Sequence, residues 1–157
     1  MPLRGWDAAN SAAPLVQDVS WQEIAKMKIK GNGLECDIQF SKPDVEGWMR
    51  TTVNVMAPSF EGVFTCTVEI RELEVFVEAL KRLEASIGQD CEASWGNMEG
   101  NIEFQFKLHK LGGLSGAYKF SPNNFSLGPT LSGDFESDQT YIAGWVKQAE
   151  EVAANAS

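Results

Sequence analysis

The sequence predicts an α+β fold, with a predominantly antiparallel β-sheet of about seven or eight strands in hairpins, one central amphipathic helix and one C-terminal amphipathic helix. Three observations predict it. Apolar and polar residues alternate with a period of two along most of the chain. The runs are separated by residues typical of hairpin turns. Only two stretches change to a helical period.

The element around which the chain is organised is the run from Phe60 to Gly88. FEGVFTCTVEI alternates, placing Phe64, Cys66, Val68 and Ile70 on one face, and passes directly into RELEVFVEALKRLEASIG. There Leu73, Phe76, Val77, Leu80, Leu83 and Ile87 recur at helical spacing, so a strand is expected to feed a helix over about Arg71–Ile87. Glu72 and Glu74 in its first turn and Lys81 and Arg82 near its end suit the helix dipole. Gly88 is placed to stop it, and Glu78 can pair with Arg82 at i,i+4. Glu84 falls at the edge of the apolar stripe and is expected to reach solvent.

Taken in order, residues 1–20 are rich in Ala, Asn, Ser and Pro without a period and are expected to form an arm, which Trp6 could dock onto the domain. A single domain is expected over 21–153, followed by a tail at 154–157. In EIAKMKIK and LECDIQF the alternation is clear on both sides of Gly31-Asn32-Gly33, and Asn-Gly favours a two-residue type I′ hairpin. With Asn32-Gly33 as the loop, Lys30 faces Glu35, Lys28 faces Asp37, Ile29 faces Cys36 and Met27 faces Ile38. The lysine row is then explained by cross-strand ion pairs and needs no nucleic acid. After the turn SKPDVEG, WMRTTVNVMA is a strand with Met49, Val53, Val55 and Ala57 on one face, and Pro58-Ser59 turns the chain into FEGVFTCTVEI. Cys36 and Cys66 thus occupy places suited to small apolar residues.

Beyond Gly88, CEASW and IEFQFKLHK are strands joined by the loop GNMEGN, with Ile102, Phe104, Phe106 and Leu108 inward. LGGLSGAYKF is another strand, SPNN a loop, and FSLGPTLSGDF a strand broken at Gly128-Pro129. The final helix starts near Ser137 or Asp138, both good N-caps. Its apolar face holds Tyr141, Ile142, Trp145, Val146, Ala149, Val152 and Ala153. Gly144 weakens it by up to ~1 kcal/mol, so it must dock.

The 157 residues suffice for one packed core. With 22 acidic against 13 basic residues the net charge is −9, which argues against a phosphate backbone or an anionic membrane as partner and permits a basic protein. Cys36, Cys66 and Cys91 fit no zinc spacing and leave one thiol over from any disulfide, so the reducing cytoplasm is expected. No secretory h-region and no membrane-length apolar run is present, so a soluble protein is expected.

No phosphate loop, dinucleotide fingerprint, HExxH, GxSxG or CxxC occurs, and His109 is the single imidazole, on an outward strand face. Neither a catalytic residue, a metal nor a cofactor is expected. Tryptophans at 6, 21, 48, 95 and 145 raise a stacking site for glycans, against which Trp145 has a place on its helix face and Trp48 and Trp95 fit a core. A hydrolase with an unusual carboxylate pair is the least favoured alternative, since no pair stands out from the acidic surface.

Pro58-Ser59-Phe60-Glu61-Gly62, the spacing of Leu73, Phe76, Leu80 and Leu83, Gly88 with Ala93, and above all Asp138-Gln139-Thr140-Tyr141-Ile142 carry a family resemblance. Over Trp21 to Val152 the chain resembles a family of small, mostly uncharacterised bacterial proteins related to WapI-type immunity proteins. Where that family is expected to carry Gly-His, this chain has Gly112-Gly113. The resemblance implies a non-enzymatic binding protein that neutralises a bacterial toxin by occlusion, and the negative charge suggests a basic one. The alternative is a small-ligand or glycan-binding module. If contact is made by the central helix, its outward face around Glu74, Glu78 and Arg82 is the candidate surface.

Overall fold

The computed structural model describes residues 22–123 and 126–157. The expected arm, with Trp6 and Trp21, lies outside the described residues. Two antiparallel four-stranded sheets and two helices make up the fold. The first sheet is a meander of β1 (Glu23–Gly31), β2 (Leu34–Ser41), β3 (Trp48–Ala57) and β4 (Phe60–Glu69). Helix α1 (Ile70–Ala85) leads into the second meander, β5 (Cys91–Gly96), β6 (Ile102–Leu108), β7 (Gly113–Phe120) and β8 (Leu131–Asp138). A 3-10 turn (Gln139–Tyr141) and α2 (Ile142–Ala156) complete it. The α+β class, the hairpins and both helices are as the sequence predicts.

The first hairpin has the register that its turn dictates. Lys30 opposes Glu35, Lys28 opposes Asp37, Ile29 opposes Cys36 and Met27 opposes Ile38. Lys28 Nζ lies 2.9 Å from Glu35 and 3.6 Å from Asp37, so one lysine serves both acids. The inner faces of both sheets and the apolar stripes of both helices form one core containing Phe40, Phe76, Phe104, Phe106, Phe120 and Trp145. Phe64 and Cys66 point inward but are only half buried, because β4 is an edge strand.

Helix α1 is joined to the second sheet by three residues acting together. Trp95 stacks on Phe76 with centroids 4.3 Å apart and planes 13° apart, and its indole N–H donates to the Glu72 carbonyl at 2.8 Å. The Glu72 carboxylate reaches back to the Glu69 N–H at 2.7 Å, half of a capping box, and accepts from Met98 N–H at 2.5 Å. The helix begins one residue earlier than the pattern predicts because this cap is at Glu69. It ends at Ala85, leaving Ile87 exposed, while Gly88 takes the left-handed conformation its role requires.

Buried asparagines in the β5–β6 loop connect the sheets. Asn97 donates to the Thr67 carbonyl of β4 and accepts from Ile102 N–H, while Asn101 donates to the Ser121 carbonyl after β7. The final helix overturns one expectation. Residues 154–157 are no tail, since α2 continues to Ala156, whose side chain is buried, and Asn155 donates to the Ile24 carbonyl of β1. Asp138 caps the 3-10 turn by accepting from Thr140 N–H at 2.8 Å, and α2 follows from it.

Two strand glycines on β7 and β8 make room for rings. Gly116 opposes Phe135 and Gly133 opposes Tyr118, and a Cβ on either would run into the facing ring. Substituting Gly116→Ala is expected to destabilise the protein by about 2–3 kcal/mol through overpacking. Urea unfolding followed by tryptophan fluorescence measures it; an unchanged midpoint would mean that Phe135 moves aside freely.

Candidate functional site

Glu74 and Glu78 stand exposed on α1, as the helical period requires. Arg82 is exposed too, but its guanidinium donates to the Glu92 carbonyl on β5 at 2.5 Å. The expected Glu78–Arg82 pair is therefore replaced. Glu78 lies 3.9 Å from Lys81, which also lies 3.2 Å from Glu150 of α2. The two helices pack side by side, so an acidic surface runs from Glu74 and Glu78 across to Glu150 with Lys81 at its centre. Arg82 ties the helix to the second sheet, and the two glutamates face outward.

A second surface was not visible in the sequence. The outer face of β5–β8 is concave, enclosing about 780 Å³, with Ser94, Gln105, Ser115 and Ala117 on its floor and Glu92, Asp134 and Glu136 at its sides. Alternation marked these residues as outward, but only strand order places β5 and β8 at opposite sides of one groove. Lys107 lies in it, 3.9 Å from Glu92.

His109 Nε2 is 3.2 Å from Ser115 Oγ at an exposed strand end. A nucleophile–base pair needs a third group to orient the imidazole, and among the described residues no carboxylate bonds the ring. No group of three or more His, Cys, Asp and Glu among the described residues is arranged to hold a metal ion. No helix there is long and apolar enough to cross a membrane. Trp95 and Trp145 are buried in the core and Trp48 is half buried, so the first two cannot serve as open stacking platforms for a glycan.

These features define a two-sheet α+β protein with acidic surfaces on its helices and on the second sheet. The immunity protein WapI-like family matches residues 25–156, and the chain belongs to that family. No curated protein matches the chain. Among solved structures, it is similar to the plant transcriptional regulator PBF-2, at 9% identity over 83% of this chain and 81% of that one, with a TM-score of 0.43. It is also similar to WHY3 from Arabidopsis thaliana, at 14% identity over 83% and 87% of the two chains, with a TM-score of 0.38.

The thiols have a measurable consequence. Burial pushes the Cys66 thiol up to about 12, and burial raises Cys36 still more strongly. Above the ordinary thiol range, near pH 8.5, the unfolded chain loses these protons while the native chain keeps them. The unfolded state then binds fewer protons, so stability is full below about pH 8.5 and falls as pH rises toward 12. The urea midpoint should decline across that window, and Cys66→Ala should flatten part of the decline; a slope identical in both proteins counts against the raised Cys66 thiol.

Proposed function

We propose that the chain is a non-enzymatic immunity protein that neutralises a basic protein toxin by covering it, and that Glu74 and Glu78 on α1 contact the toxin. The family match over residues 25–156 is the observation that carries this reading. The net charge of −9 supports a basic partner, because complementary charge accelerates encounter and disfavours wrong partners. The exposure of Glu74 and Glu78, beside Glu150 of the adjoining helix, supports the contact surface. Arg82 belongs to that surface as a support, through its bond to the Glu92 carbonyl.

The test is co-purification with the protein encoded beside its gene, together with protection of cells that express that protein. Replacing both Glu74 and Glu78 by Lys is expected to weaken binding by about tenfold or more, chiefly through a slower on-rate at low salt, with stability nearly unchanged. Arg82→Ala should instead cost about 1 kcal/mol of stability by removing its hydrogen bond. Reversal of Asp134 and Glu136 in the groove is the comparison. Loss of binding there alone moves the contact to the second sheet, and absence of protection by the wild-type chain removes the immunity function.

A further inference from the structure

Among the described residues, three of the four outer strand edges are engaged by a helix or by the other sheet. On β1, Gln148 of α2 accepts from Lys28 N–H at 2.7 Å and Asn155 donates to the Ile24 carbonyl at 3.1 Å. On β8, Glu136 exchanges backbone bonds of 2.7 and 2.9 Å with Asn32. On β5, Arg82 holds the Glu92 carbonyl. Such coverings keep a sheet edge from recruiting another strand.

The fourth edge is β4. Ile70 N–H turns to Gly47 beside β3, whereas the Thr67 carbonyl turns to Asn97 on the opposite side. Backbone groups alternate in direction along an antiparallel strand, so those of Glu61, Val63 and Thr65 point away from β3. Among the described residues nothing bonds them. Val63 is 66% exposed and Phe60 63%, and the β3–β4 ladder is free of bulges. The stretch also has no lysine or proline of the kind that blunts an edge.

Gly62 lies at the middle of this open stretch. Glycine weakens a strand interior, yet here its φ is not positive and a Cβ would meet nothing within 4 Å. On β7 and β8 the comparable glycines each lie under a cross-strand ring, Gly116 under Phe135 and Gly133 under Tyr118. Gly62 has no ring in this chain. A second copy of β4, antiparallel about a two-fold axis at Val63, would bring one, because Gly62 then opposes Phe64 of the second copy and Phe64 opposes its Gly62.

We propose that β4 is a homodimerisation edge, at which two copies pair residues 61–65 about Val63 and join their first sheets into one. In this register every free backbone group of Glu61, Val63 and Thr65 finds a partner, and Glu61 faces Thr65. A two-fold axis at Thr65 would instead set Glu61 against Glu69, a like-charge pair. An axis at Phe64 would require Thr67, whose carbonyl Asn97 already occupies. Because each copy carries −9, added salt should strengthen the association.

Sedimentation of the full chain over a range of concentrations tests the proposal. The wild type is expected to show a monomer–dimer equilibrium that tightens with sodium chloride. Val63→Lys sets two like charges face to face at the axis and should weaken the dimer by about tenfold or more. Its melting temperature should stay within about 2 °C, because the site is exposed. The register has its own test: hydrogen-bonded antiparallel partners have Cα atoms about 5.5 Å apart, within disulfide range. Val63→Cys should therefore cross-link to itself on mild oxidation, and Thr65→Cys, which faces Glu61, should not. A wild type that stays monomeric at millimolar concentration overturns the proposal, whether the edge is taken by residues 1–21, by a strand of another protein or by nothing. So does a Val63→Lys variant that dimerises as tightly as wild type, or a Thr65→Cys variant that cross-links as readily as Val63→Cys.

Discussion

Glu72, Phe76 and Trp95 make the joint on which the rest of the structure depends. Each sheet is a local meander that its own turns can specify. Asn32 with Glu136 and Asn97 with Thr67 bond one meander to the other, and α1 joins them where it leaves β4 and lands on β5. The Phe76–Trp95 stack supplies the apolar contact, and the indole N–H to the Glu72 carbonyl sets its orientation. The Glu72 carboxylate then secures both the start of the helix and the loop after β5. A buried indole without an acceptor would carry an unpaired donor, so the stack and the hydrogen bond support one another.

The same joint determines which surfaces remain available. With α1 on β5 and α2 along β1, the helices cover two sheet edges and much of the core, and their outward faces become surface. The inner faces of both sheets are consumed by packing. The outer faces, the helix surface and the β4 edge are what can meet another molecule. The toxin-neutralising role proposed for this member of the WapI-like immunity family would draw on surfaces of this kind, because covering a toxin is a matter of contact.

Much of this architecture was legible in the sequence wherever local chemistry decided it. Asn32-Gly33 fixed the first hairpin to the residue, and the stripe from Leu73 to Leu83 marked the buried face of α1 correctly. What could not be read depended on long-range placement. Arg82 looked like a helix-surface partner of Glu78, yet it bonds a carbonyl on a strand ten residues further along. Phe64 and Cys66 follow the same alternation as core residues, but alternation does not say whether a strand lies at the centre or the edge of a sheet. The 154–157 stretch lacked apolar residues larger than alanine, and only contact with β1 shows why the helix continues. For the candidate site, Glu74 and Glu78 were legible as outward positions, whereas the groove of Glu92, Asp134 and Glu136 required the strand order.

The distribution of charge bears more directly on function than its total. The most basic stretch of the chain, the lysine row of β1, is opposed by Glu35 and Asp37, and Lys28 meets both. That face is therefore close to neutral and offers neither a phosphate-binding stripe nor an acidic patch. Lys107 and Lys119 on the second sheet similarly face Glu92 and Glu103. Exposed ion pairs of this kind add little stability, but they cancel the local field. The acids left without such a lysine include Glu74 on α1 and Asp134 and Glu136 on β8. A basic partner of the kind proposed, approaching at low salt, would feel these positions first.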